Sequence, residues 1–303
     1  MVGTIKDFFG YRATDTSEKA LTQAARLECP FLNKTCSKML GEGEERQPAG
    51  ACAVAQVRDT TPVICCPIRL YAEDYKILSI VIEKTFGKSY NCYSGRIAVE
   101  KAKQEGGAVA VYGHGWGGEL RLPKREGTGN YFADWVLALV DGDGQLSEFT
   151  SIEVQTIDIS GNYRDSRSGL MDDRRIVKSS VGLNWENVNK RILPQLIYKG
   201  QVLQREQYCK SGLWLVTPEP VYGRIMERLG KKVSFGYQPQ PGAIHFLRYD
   251  YDTSAPEIPG QPTSLTVVGE ECTTVEKVQA AFNNVDLPEP NVYGNALKHA
   301  LFD

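Results

Sequence analysis

The residues best suited to chemistry are Asp134 in "YFADWVLALV" and the pair Glu153 and Gln155 in "SIEVQTIDI". Side chains alternate across a strand, so Glu153 and Gln155 project from one face. Val154 points into the core between them, and its carbonyl lies near the same edge. Asp134 stands just before Trp135, at the mouth of an apolar run that reads as a buried strand. Two carboxylates and a carbonyl are hard oxygen ligands, which suit Mg2+. An ion held there against a phosphodiester would lower the pKa of its water and offset charge on the phosphate. Gln155 stands where many metal-dependent nucleases carry a lysine, and is suited to orienting the attacking water. Acids at strand ends are also often merely solvated, so the spacing alone leaves a surface role open.

A second constellation lies upstream. Cys29, Cys36, Cys52 and Cys66 fall within one stretch of 38 residues, and Cys29 and Cys66 are each followed directly by proline. Four thiolates in an otherwise loop-like segment suit a tetrahedral sulfur site for zinc or iron. Disulfides or scattered buried thiols are the alternative. The opening "MVGTIKDFFGYR" does not resemble a signal peptide, and no segment reaches membrane-spanning length. The expectation is therefore a cytoplasmic protein, in which thiols stay reduced and clustered cysteines more often bind metal. Cys65 competes with Cys66 for the fourth position; Pro67 favours Cys66 by analogy with Cys29–Pro30. Cys92, Cys209 and Cys272 stand alone and read as core thiols.

These residues need elements to position them. The period in "SEKALTQAARL" predicts a helix capped by Ser17, and residues 29–70 form the cysteine module around an exposed "LGEGEERQPAG" loop. "AEDYKILSIVIEKTFG" predicts a helix ended by Gly87, and "SGRIAVEKAKQEGG" another, capped by Ser94 and ended by Gly106. Strands follow in "AVAVYG", "GGELRL", "YFADWVLALV" and "FTSIEVQTIDI", with "DGDGQ" as a hairpin turn. After a polar loop over 160–182, "NWENVNKRILPQLIYKGQVLQRE" predicts a long helix broken at Pro194. "GLWLVT", "AIHFLRYDY" and "SLTVVG" predict strands, and "EPVYGRIMERLG" and "TTVEKVQAAFNN" helices; the last fifteen residues show no clear element. The fold class is thus α/β, a mixed central sheet flanked by helices, with a small four-cysteine metal-binding module. The chain divides into 1–70, a helix plus the cysteine module, and 71–303, a catalytic domain.

The 303 residues are 42% hydrophobic and 24% charged, enough for a sizeable core in an ordinary globular protein. A net charge of −2 excludes a protein coated in basic residues that packages DNA nonspecifically. It leaves room for a site-specific DNA enzyme, which needs only a local positive cleft. Basic groups gather in "RLPKR" and in Arg164, Arg167, Arg174, Arg175 and Lys178, the latter interleaved with Asp165, Asp172 and Asp173.

Taken together, "FFGYR", "CPFL", "TCSK", "GACAV", "CCPIR", "KTFG", "GGEL", "ADWVLALV", "EVQTIDISGNY" and the closing "LFD" occur in one order. On these residues the chain resembles the NotI-like type II restriction endonucleases, most clearly over residues 8–164. The resemblance implies a PD-(D/E)xK nuclease core in an E-x-Q variant. Asp134, Glu153 and the Val154 carbonyl would bind the catalytic Mg2+, Gln155 would place the nucleophile, and Glu119 of "GGEL" would assist. Cys29, Cys36, Cys52 and Cys66 fall on the family's iron-binding cysteines, with zinc the alternative.

The partners implied are double-stranded DNA and a second copy of the chain. A palindrome needs a two-fold homodimer with one active site per strand. The target implied is GC-rich and GGCC-centred, the shorter chain favouring six bases such as CGGCCG, with cleavage leaving 5′-phosphate ends. A GC-rich target calls for arginine or lysine donors to guanine, and Arg164 and Arg167 follow the catalytic strand. The setting implied is the bacterial cytoplasm. The rival from another class is a metal-stabilised DNA-binding module without catalysis.

Overall fold

The computed structural model describes residues 2–58, 61–113, 116, 118, 120, 133–230, 233–284 and 289–302, apart from the side chains of residues 73 and 74. In chain order the principal elements are β1 (Gly3–Phe8), α1 (Glu18–Ala25), β2 (Ala51–Gln56), β3 (Val63–Ile64), α2 (Ala72–Phe86), β4 (Cys92–Ser94), α3 (Ile97–Glu105), β5 (Gly107–Gly113), β6 (Trp135–Asp141) and β7 (Leu146–Val154). They continue as α4 (Arg164–Asp172), α5 (Leu193–Leu203), β8 (Leu213–Pro218), α6 (Glu219–Leu229), β9 (Ala243–Tyr251), β10 (Leu265–Thr274), α7 (Val275–Asn283) and α8 (Val292–Phe302).

Seven strands form one mixed sheet in the order β10-β9-β8-β7-β6-β5-β4. β7, β8 and β9 run parallel, while β6 is antiparallel to both of its neighbours and β10 to β9. β8 is buried along its whole length, as a central strand covered on both faces must be. Alternation then sorts its side chains: Trp214 and Val216 pack on the α2 side with Trp135, Leu137, Ile152 and Val154. Leu215 packs on the opposite side with residues of α5, α6 and α7. Glu153, lying between Ile152 and Val154, therefore faces α5. A mixed α/β sheet flanked by helices is the architecture the sequence implies.

The N-terminal segment shares that second core. β1 and β2 form a small antiparallel sheet with β3 and Tyr11–Arg12. Ile5, Phe8 and Val54 pack in one cluster with Val181, Leu193, Leu215 and Phe246. The Gly3 amide bonds the Ser179 carbonyl at 3.0 Å. The line drawn at residue 70 is crossed by packing and by backbone bonds.

Local expectations fare unevenly. Ser17 caps α1 by accepting from the Ala20 amide, and Gly87 ends α2 in the left-handed conformation. Ser94 does not cap α3; it pairs with Val111 in the edge strand, and Arg96 precedes the helix without a side-chain cap. The 160–182 segment contains α4, whose buried residues are Ser166, Arg167, Gly169 and Leu170, too polar a set to show as an apolar stripe. A π-helical stretch over Val188–Ile192 runs without a break into α5, so the helical run changes its hydrogen-bond pattern just before Pro194 and does not end there. The chain end forms α8, which buries no residue.

Candidate active site and cysteine cluster

β6 and β7 meet so that Trp135 lies opposite Ile152. This register puts Asp134 beside the exit of β7, where its Oδ2 accepts from the Val154 amide at 2.8 Å. Gln155, one residue past β7, is clamped to β8. Its amide donates to the Val216 carbonyl at 3.0 Å, and its carbonyl accepts from the Thr217 hydroxyl at 2.9 Å. The pairing of β7 with β8 thus continues one hydrogen bond past Val154.

Glu153 is 3% exposed. Its Oε2 meets Lys199 Nζ of α5 at 2.6 Å, and its Oε1 is buried without a hydrogen bond of good geometry among the described residues, although the Asp134 backbone amide lies close enough to the carboxylate to favour its charged form. Burial, together with the Asp134 carboxylate beside it, pushes the Glu153 carboxyl up to about 7, against the pull of Lys199. A buried carboxylate oxygen left unpaired next to a second carboxylate is the signature expected of a site whose missing partner is a cation. The donor set thus fits a hard divalent ion. Beside it, between α3 and α5, lies a cavity of about 620 Å3 lined by Tyr112, Val136, Ala138, Phe149, Ser151 and Lys199, among others. Glu119 lies outside the described residues.

Lys199 was not visible as a site residue in the sequence. It sits in "LIYKGQVL", where Leu196, Gly200 and Leu203 mark a buried stripe. A cation falling on that stripe was the available signal.

The cysteines converge from three short pieces of chain: the Glu28–Cys29/Lys34–Thr35 hairpin, β2, and the turn after β3. Cys29, Cys36, Cys52 and Cys66 are all buried. The Cys66 thiol is drawn down by a hydrogen bond with Cys52, and the same bond pushes the Cys52 thiol well up. Burial raises Cys29 to about 11, with Cys66 and Cys36 close enough to add to the rise. The Cys65 thiol donates to the Val63 carbonyl at 3.2 Å, burial pushes it up to about 12, and it packs in one cluster with Cys36. Cys66 thus lies against Cys52, and Cys29 lies near both Cys66 and Cys36. Among the described residues, however, no three of His, Cys, Asp or Glu already stand as a metal shell.

The arginines divide. Arg164 is half exposed and pairs with Glu45 of the cysteine loop at 2.7 Å. Arg167 is buried, its Nε donating to the Pro48 carbonyl at 2.9 Å. The guanidinium of Arg167 braces the cysteine module, a task that proximity to the catalytic strand did not foretell.

Two carboxylates thus stand at one end of neighbouring strands in a mixed sheet flanked by helices, an architecture consistent with a restriction-endonuclease-like core. Residues 9–222 match the family described as "Restriction endonuclease NotI". The chain belongs to the NotI restriction endonuclease family, and so to the type II restriction endonucleases, which bind and cut DNA. No curated protein matches the chain. Among the described residues, no helix is long and apolar enough to cross a membrane.

Proposed function

We propose that the chain cleaves double-stranded DNA within a GC-rich, GGCC-centred palindrome, CGGCCG being the best candidate, by Mg2+-dependent hydrolysis that leaves 5′-phosphate ends. The observation that carries the chemistry is the buried, unpartnered Glu153 Oε1 beside Asp134. Asp134, Glu153 and the Val154 carbonyl hold the ion, which when bound acidifies water and neutralises phosphate charge. Gln155, with its backbone fixed by β8 at both polar atoms, presents its amide to the nucleophile. Asp134 also ties the start of β6 to the end of β7, so the two carboxylates keep their spacing without the ion. Arg164 reads guanine, Glu119 assists from the "GGEL" segment, and the active unit is a homodimer. The cysteine cluster is structural, holding iron, or zinc in its place, on Cys29, Cys36, Cys52 and Cys66.

A randomised plasmid library incubated with the purified protein and Mg2+, followed by sequencing of the ends, tests the reading. Cuts should fall at one palindrome, carry 5′-phosphates, need Mg2+, and disappear in Glu153→Gln. Specific binding without cleavage under any divalent ion would instead support the non-catalytic module. Analytical ultracentrifugation on a cognate duplex should find two chains per site.

A further inference from the structure

We infer that Lys199 is a positioning residue for catalysis: from α5 it fixes the Glu153 carboxylate by one oxygen, so that the other is presented to the metal position beside Asp134. The inference rests on the nuclease reading above and adds a residue that neither the motif nor the family match assigns. The contact is 2.6 Å between side chains that are 9% and 4% exposed. A charge-assisted bond this short and this buried has one preferred geometry. It uses Oε2 and leaves Oε1 unpaired.

Two features argue that the arrangement is built. First, α5 approaches its surroundings closely at Gly200, the next residue. A Cβ there would lie 2.9 Å from Val275 and 3.6 Å from Ile244, so the glycine lets the helix seat against α7 and the sheet. That seating carries Lys199 onto the face from which Glu153 projects. Second, the strand supplies no cation of its own. Gln155 is neutral, and Lys199 is the one basic residue paired with Glu153 among the described residues. Two carboxylates at one edge repel until an ion joins them, and an ammonium fixed on the far oxygen of one offsets that repulsion without occupying the ion's place. Burying an ion pair stabilises little by itself, so stability alone does not account for this contact.

The test compares Lys199→Met, Lys199→Gln and Lys199→Arg with the wild-type chain in single-turnover cleavage of cognate DNA across a Mg2+ titration. Duplex binding is measured separately without divalent ion. Groups that orient a metal ligand typically contribute about 10- to 100-fold in metal affinity or activity. Lys199→Met should therefore raise the Mg2+ needed for half-maximal rate by about tenfold or more, while metal-free binding of the duplex stays near wild type. Lys199→Arg keeps the charge and should recover part of the loss. With the wild type cleaving, so that the nuclease reading stands, an unchanged Mg2+ requirement in Lys199→Met would overturn the inference. So would a rate loss matched by an equal loss of duplex binding, which marks a structural role. If Lys199→Met does not accumulate, Lys199→Gln takes the same readings. Insolubility of both neutral variants beside a fully active Lys199→Arg with unaltered Mg2+ response would also overturn it. A wild-type chain that does not cut would instead fail the nuclease reading.

Discussion

Replacing Glu153 by glutamine should make the Mg2+-free protein more stable above neutral pH and leave it unchanged in acid. The structure holds the Glu153 carboxyl at about 7, against its ordinary 4.5, chiefly by burial and then by the Asp134 charge, with Lys199 compensating only in part. A carboxyl raised in the folded state contributes stability that is fully present below its unfolded pKa and is lost as pH rises through the folded one. Between pH 4.5 and about 7 the folded chain keeps a proton that the unfolded chain has released. Stability therefore falls by about 1.4 kcal/mol per pH unit over that window, for a total of about 3 kcal/mol. The neutral amide of Glu153→Gln mimics the protonated acid and has no proton to lose. Urea denaturation of both proteins, without added Mg2+, should give coincident stabilities near pH 4.5, the ordinary value of the carboxyl. Toward a pH of about 8 the gap should open to about 3 kcal/mol in favour of the variant. Added Mg2+ should narrow it by stabilising only the wild type. Parallel curves, with a constant offset across that range, would refute the assignment of Glu153 as the strained, titrating carboxylate.

Three further outcomes are expected. Arg167→Ala should cost about 1–3 kcal/mol of stability by leaving the Pro48 carbonyl and its pocket unfilled, whereas Arg164→Ala should weaken cognate binding by about 1–3 kcal/mol with little change in unfolding; the reverse pattern in titration and melting would exchange their roles. Elemental analysis should find about one iron or zinc per chain, retained in Cys65→Ser and lost with soluble yield in Cys52→Ser; a metal-free native protein would dismiss the cluster as a metal site. Deleting residues 289–303 should leave the melting temperature within about 2 °C, because α8 buries nothing; a large drop would mean that α8 is covered in solution.

A buried strand carrying Glu153, with Asp134 at the mouth of the strand before it, could be read from the sequence because strand patterning is local. The helix ends at Gly87 and Gly106 were legible for the same reason, since a left-handed residue stops a helix by itself. What escaped depends on distant contacts. Lys199 meets Glu153 only because Gly200 lets α5 close on Val275, a fact with no local signature. Arg167 turns inward because the Pro48 carbonyl waits for it across the module. Ser94 had the right identity for a cap, but the edge strand claimed its backbone first. α4 hides because a helix can bury serine, glycine and an arginine stem and still satisfy them, as Ser166 does on the Val177 carbonyl.

The same long-range contacts decide how the cysteine module relates to the active site. The backbone of Cys65 is a junction. Its amide bonds the Cys52 carbonyl at 2.8 Å, and its own carbonyl accepts Lys38 Nζ at 3.0 Å and the Thr156 hydroxyl at 3.1 Å. Thr156 directly follows Gln155. The turn carrying Cys66 is thereby hydrogen-bonded to the exit of β7. A second tie lies three residues on, where buried Arg69 stacks over Phe31, bonds the Thr263 carbonyl and faces Asp7, itself held by Tyr251 of β9 at 2.6 Å. The Cys65 carbonyl therefore links the chain next to Cys66 to Thr156, two residues from Val154 at the end of β7. The carboxylates at the sheet edge repel each other and lie in a poorly solvating environment. Such a site persists only when its surroundings over-determine it, and the cysteine module supplies part of that constraint.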